Sequence, residues 1–264
     1  MRIARFSIND EVKFGLIEGE GDLPEDLEVA EIAGHPFGAI QVTPRHWPLS
    51  AVRLLAPVLP SKVIGIGRNY ADHARELGHE VPAKAEPPIV FLKPSTSVVG
   101  PSDAIQYPLG VSYDVQHEAE LAVVIGRMCR EVPPERVSEV ILGYTCANDV
   151  TARDLQRAES QWGRAKGFDS FCPIGPWIRT DIDPSDLAVT CTVDGELKQA
   201  GRTGQMIHSI TDLIVHITQA MTLLPGDVIL TGTPAGVGPM VVGQEVTVGI
   251  EGLGNLTNLV VARA

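Results

Sequence analysis

Residues 2–8 and 12–18 alternate apolar and polar side chains, which predicts two strands. Asn9-Asp10 lies between them and suits a tight turn. From there to about residue 50 the chain is acidic and broken by Pro and Gly, with no grouping of reactive side chains. The stretch Leu54-Leu55-Ala56-Pro57-Val58-Leu59-Pro60 carries two prolines and marks a boundary. It divides the 264 residues into a small N-terminal segment, 1–56, and a larger one, 57–264. In the larger segment, apolar runs predict strands over 62–66, 89–93, 117–125, 140–147, 187–193, 227–231 and 245–250. Asp194-Gly195 reads as a hairpin turn after VTCTV. Helical patterning is confined to 69–77, 133–140, 151–159 and 211–224. Asn69 caps the first of these and Gly78 stops it, while Pro225-Gly226 ends the last. Many strands and few helices define an α+β fold, predominantly β, without regular βαβ winding.

Composition narrows the function classes. With 44% hydrophobic and 20% charged residues the chain is globular, so its 26 Gly and 20 Pro supply turns rather than disorder. Thirty-three acidic against 21 basic residues give a net charge of −12, which argues against nucleic acid and anionic membranes as partners. Apolar runs such as LAVVIG fall short of the ~18 residues of a membrane span. The charged start, MRIARFSINDEVKFG, lacks the apolar core of a signal peptide, so a soluble, cytoplasmic protein is expected. Cys129, Cys146, Cys172 and Cys191 form no C-x-x-C pair and are expected as reduced, mostly buried thiols. Gly65-Ile66-Gly67 follows a strand, but Tyr70 occupies the third glycine position of a dinucleotide loop. Residues 231–238, TGTPAGVG, lack the Gly-Lys-Ser/Thr of a P-loop, although backbone N–H groups in such a turn can meet a carboxylate.

The candidate chemistry lies in carboxylates. On a strand over 117–125, Glu118 and Glu120 point to one face, about 6.6–6.8 Å apart along the backbone. Two neighbouring acids repel unless a cation lies between them; exposed glutamates on an edge strand are the plainer alternative. Asp149, where strand 140–147 gives way to a helix, can complete an oxygen-rich site or simply cap that helix. An all-carboxylate set suits Mg²⁺, Mn²⁺ or Ca²⁺ over zinc. His73 and Glu76 share a helix face, either as an acid–base pair or as a solvent-exposed one. Arg153 and Gln156 are likewise spaced i,i+3 and can bind a carboxylate, unless Arg153 merely pairs with Asp149. Lys166, among small and apolar residues, can stabilise an enolate or oxyanion.

Five ordered blocks, GIGRNYADHARELG, QHEAELAVVIG, GYTCANDVTARDLQ, RAKGFDSFCPIGPW and ILTGTPAGVG, resemble the fumarylacetoacetate hydrolase family from about residue 57 to the C-terminus. Residues 1–56 are similar to a small appendage on some bacterial members. The resemblance implies a compact β roll of mixed sheets, a homodimer, and a Mg²⁺ or Mn²⁺ ion held by Glu118, Glu120 and Asp149. It further implies Lys166 beside the metal, Arg153, Gln156 and Thr233 on the substrate, and His73–Glu76 as the acid–base dyad of a lid helix. The implied substrates are small 2-oxo or 2-hydroxy-enoic dicarboxylic acids that react through an enolate stabilised by the metal and Lys166. A 2-hydroxyhepta-2,4-diene-1,7-dioate isomerase-like activity is favoured narrowly over acylpyruvate-type C–C hydrolysis. Oxaloacetate decarboxylation or tautomerisation comes third. A non-enzymatic small-acid binding module would need the three carboxylates but has no use for His73, Glu76 and Lys166.

Overall fold

In a computed structural model, which describes residues 1–19, 24–76, 78 and 80–263, the chain is mostly sheet. The two predicted N-terminal strands are Arg2–Ile8 and Glu11–Glu18, and Asn9 and Asp10 take the positive φ values of a tight hairpin. The hairpin at Asp194-Gly195 forms in the same way.

Among the described residues the largest sheet has 12 strands. Its path runs from Val42–Pro48 through Glu28–Ile32, Glu11–Glu18 and Arg2–Ile8 to Cys172–Arg179, Ile141–Asn148 and Ala119–Ile125. It continues through Val228–Leu230 and Val63–Gly67 to Ile89–Lys93. The strands of residues 1–56 are therefore hydrogen-bonded into the sheet of the larger segment, through Arg2↔Arg179 and Ile3↔Ile178. A five-stranded sheet, with Ala188–Val193 and Glu245–Ile250 near its middle, packs across Leu121 and Cys146. On another side the helix Ile210–Ala220 covers Val123 and Ile125. Its first turn is closed by Ser209 and Asp212, which accept each other's backbone N–H bonds.

Ala119–Ile125 lies between Ile141–Asn148 and Val228–Leu230, and all seven of its residues are buried. That removes the edge-strand alternative for the two glutamates. A strand covered on both faces needs a continuous apolar run, which LAVVI (121–125) supplies after Glu120.

Several expectations need correction. The strand expected over 117–125 is two strands, Val115–His117 in a small three-stranded sheet and Ala119–Ile125 in the large one, with Glu118 at the junction. The first helix covers Ala71–Glu76; Leu77, at the end of the expected span, lies outside the described residues. Asn69 does not cap it. Its amide instead donates to the carbonyls of His208 (3.0 Å) and Thr231 (2.8 Å) and accepts from His208 N (2.8 Å). The last expected helix stops at Ala220 because Met221 turns extended. Glu28–Ile32, Val42–Pro48 and Cys172–Arg179 are strands that local patterning does not predict. The last contains Pro173 and Pro176 yet lies inside the sheet, where its pairing with Ile141–Asn148 is irregular between Tyr144 and Cys146.

Candidate active site

The break at Glu118 builds the site. Asn148 Oδ1 accepts the Glu118 N–H (3.0 Å), and Asp149 N donates to the Glu118 carbonyl (2.8 Å). These bonds hold the two chain segments side by side where both leave the sheet. Glu118, Glu120 and Asp149 thereby converge, buried, with one ligand oxygen from each within 4.8 Å of the others.

Cations surround two of the three acids. Lys166 Nζ bonds Glu118 Oε2 (2.7 Å) and Asp149 Oδ2 (2.5 Å). Arg153 forks between Glu118, Gln116 Oε1 (2.9 Å) and Gln156 Oε1 (2.5 Å). It does not pair with Asp149, and Asp149 caps no helix: the next helix, Arg153–Ala158, starts after Ala152. Lys93, fully buried, pairs with Asp149 and donates to the Phe171 carbonyl (2.6 Å).

These contacts set the protonation states. Burial pushes the Glu118 carboxyl up, but Lys166 and then Arg153 more than offset it and hold the group well below its usual range. Burial disfavours the Lys166 ammonium, but Asp149 and Glu118 outweigh it and raise its pKa, so it is charged at neutral pH. Glu120 behaves oppositely: burial, then Asp149 and Glu118, push its pKa well above the ordinary value. Among the described residues no cation lies within ion-pair distance of Glu120; its Oε2 accepts from Gly232 N (2.7 Å). Gly232 has φ +100°, and a side chain there would collide with the Asn69 Cβ at 2.7 Å, so glycine is required for this donor. An oxygen-only, buried triad with one uncompensated carboxylate fits a hard divalent cation.

Of the nine residues singled out in the sequence, seven line one cavity of about 260 Å³; Glu76 and Asp149 stand just outside it. His73 is buried and its Nδ1 faces Glu76 Oε2 (3.4 Å), whose carboxylate also accepts from Gly236 N (3.0 and 3.1 Å). The exposed-pair alternative fails on the burial of His73. Burial also lowers the His73 pKa, so the ring is neutral at pH 7. Thr233 Oγ1 donates to the Ala119 carbonyl (2.9 Å) and accepts from Gln199 (2.7 Å), which leaves one acceptor lone pair for a ligand. Sequence reasoning missed Lys93, Arg68 and Trp162. Lys93 carried the faint signal of a lysine closing the apolar run IVFLK; Arg68 and Trp162 carried none.

A buried acid triad backed by lysine, with a His–Glu pair on the same cavity and a predominantly β scaffold around it, is a donor set suited to acid–base and metal chemistry. The model of the fumarylacetoacetate (FAA) hydrolase C-terminal domain matches residues 62–261, and that of an Rv2993c-like N-terminal domain matches residues 1–57. The chain belongs to the fumarylacetoacetate hydrolase family and is an enzyme of that kind. A 2-hydroxyhepta-2,4-diene-1,7-dioate isomerase from Mycobacterium marinum is 49% identical, with a TM-score of 0.93 over 100% of this chain and 99% of that one. A maleylpyruvate hydrolase from Sphingobium sp. SYK-6, solved with manganese(II) and pyruvate, is 31% identical, with a TM-score of 0.79 over the whole of both chains. The mitochondrial oxaloacetate tautomerase Fahd2a of Rattus norvegicus is 45% identical over 81% of this chain and 71% of its own length.

Proposed function

We propose that this enzyme acts on small 2-oxo or 2-hydroxy-enoic dicarboxylic acids with Mg²⁺ or Mn²⁺, as a 2-hydroxyhepta-2,4-diene-1,7-dioate isomerase-like member of its family. The convergence of Glu118, Glu120 and Asp149 beside Lys166 carries this reading. The full-length likeness to the M. marinum isomerase supports the substrate class, and the manganese and pyruvate of the Sphingobium hydrolase support the metal. The three carboxylates would hold the ion, which would supply Lewis acidity to the substrate's carboxylate and neighbouring oxygen.

The chain's own groups do the rest. Lys166 holds a positive charge where the 2-oxo oxygen becomes an enolate oxygen. Arg153 braces Glu118 and fixes the Gln156 carbonyl, which turns the Gln156 amide NH₂ toward a ligand. His73, neutral and steadied at Nδ1 by Glu76, has Nε2 free to take and return a proton. Trp162 and Ile66 in the wall limit the access of water.

The His73–Glu76 geometry favours a second reading equally directly. If His73 takes its proton from a water instead of the substrate, the same site hydrolyses an acylpyruvate. If the substrate is oxaloacetate, the outcome is tautomerisation or decarboxylation. A substrate panel with Mg²⁺ and Mn²⁺, followed by NMR of the products, separates these: isomerised diacid is expected, and turnover of none of the substrates refutes the reading. His73→Ala is expected to lower turnover by about 100-fold or more, the usual worth of a general base. An unchanged rate and product profile would remove the dyad from the mechanism.

Residues 1–56 and 57–264 are proposed as two domains sharing one sheet, in line with the separate matches to residues 1–57 and 62–261. A cytoplasmic homodimer is the proposed working form. Four unpaired thiols suit a reducing compartment, and the exposed Leu109, Val111 and Tyr113 supply apolar surface for association. Light scattering on protein from the cytoplasmic fraction should give twice the 28.3 kDa chain mass; a monomer would refute it.

A further inference from the structure

Among the described residues Arg68 is the cation of the cavity that forms no ion pair. Lys166 is matched by Glu118 and Asp149, Arg153 by Glu118, and the outward-lying Arg157 by Asp114 at 3.4 Å. Among the described residues the Arg68 guanidinium makes no hydrogen bond, ion pair or ring contact, and its Nε is buried without a partner. Leaving such a donor dry costs free energy unless a ligand completes it.

Its backbone is held for this placement. Arg68 has φ +58°, uncommon for a residue with a long side chain. On one side Gly67 lies so close to Trp162 that a Cβ would come within 2.6 Å of the indole. On the other, Asn69 is tied by its three hydrogen bonds to His208 and Thr231. Rigid neighbours that enforce an unfavourable conformation are a feature of ligand-gripping positions.

Position completes the inference. Arg68 lines both the active-site cavity and an adjoining cleft of about 170 Å³ whose wall includes Val81, His208 and the exposed Glu80 and Glu86, neither of which forms an ion pair with it, whereas Glu118 and Glu120 line the cavity alone. It therefore stands at the wall the cavity and the cleft share. We propose that Arg68 is a specificity-determining residue that binds the second carboxylate of the substrate, so that the site selects 2-oxo diacids over 2-oxo monoacids of equal length. This rests on the site reading above, in which the first carboxylate lies at the triad. A guanidinium can grip that carboxylate through two parallel N–H bonds.

Calorimetric titration of the Mg²⁺-loaded full chain with 2-oxoglutarate and 2-oxopentanoate tests it, because these five-carbon ligands differ in the distal carboxylate. Wild type should bind the diacid more tightly. Arg68→Met keeps the side-chain stem and is expected to weaken 2-oxoglutarate by roughly 10- to 100-fold, the worth of a hydrogen bond to a charged group, and 2-oxopentanoate by less than about 2-fold. Arg68→Gln should discriminate in the same way and replaces Arg68→Met if that variant does not fold. Equal losses for both ligands, or no loss for the diacid, would overturn the inference and leave the site reading standing. Failure of wild type to bind either ligand would overturn the site reading and this inference with it.

Discussion

Glu120→Ala should abolish Mg²⁺- or Mn²⁺-dependent turnover while the metal-free protein remains folded. Even residues that merely support a metal ligand cost about 10- to 100-fold in affinity when lost, so removal of a ligand should cost more than about 100-fold. The sign of the stability effect separates this from unfolding. Glu120 is buried beside two like charges and, among the described residues, forms no ion pair, so alanine removes the repulsion its ionised form meets in the metal-free protein. Its pKa is raised in the fold, so the stability it contributes is fully present below the unfolded value near 4.5 and is lost as pH rises through the raised value. Metal-free wild type should therefore lose stability through that window, and Glu120→Ala should lose less. Metal binding displaces the Glu120 proton, so affinity should climb with pH and binding heats should depend on the buffer. Unchanged metal affinity in Glu120→Ala would dismiss the triad as the metal site.

Lys93→Met should cost about 3–5 kcal/mol of folding stability, the usual penalty for removing one partner of a buried ion pair. Asp149 then keeps Lys166 as its remaining cation, and the carbonyls of Phe171 and Val150 lose a donor. Arg53→Ala breaks an exposed pair with Asp103 and is the control, expected within about 1 kcal/mol of wild type. Urea unfolding of both variants measures the difference. If Lys93→Met is as stable as Arg53→Ala, Lys93 is not what holds Asp149 in place.

The grouping of the candidate site residues was legible in the sequence because they fall in short blocks. Glu118 with Glu120, His73 with Glu76, and Arg153 with Gln156 are local pairs, and the structure places each pair together. One continuous strand was expected to align the two glutamates, whereas Glu118 occupies a break between two strands of different sheets. Lys93 escaped notice because a lysine closing an apolar strand usually ends in water, and nothing local says that Phe171 and Asp149 will enclose it. The strand Cys172–Arg179 escaped because its prolines argue locally against a central sheet position.

The acid excess is a further instance. It was legible as a net charge of −12 that argues against polyanionic partners, yet the cavity lined by two of those acids, Glu118 and Glu120, is also walled by Arg68, Arg153, Arg157 and Lys166. Residue types and short spacings determine the donor set: clustered carboxylate oxygens, a helical His–Glu pair and a predominantly β scaffold. Tertiary structure decided the pairing of charges, because Lys93 and Asp149 lie 56 residues apart, Lys166 and Glu118 48, and Arg153 and Glu118 35. Coulomb energies inside a protein depend on distance and burial, and neither exists until the sheets have closed around them. For the same reason Arg68 is one basic residue among 21 in the sequence, and only in the fold a charge on a cavity wall that, among the described residues, forms no ion pair.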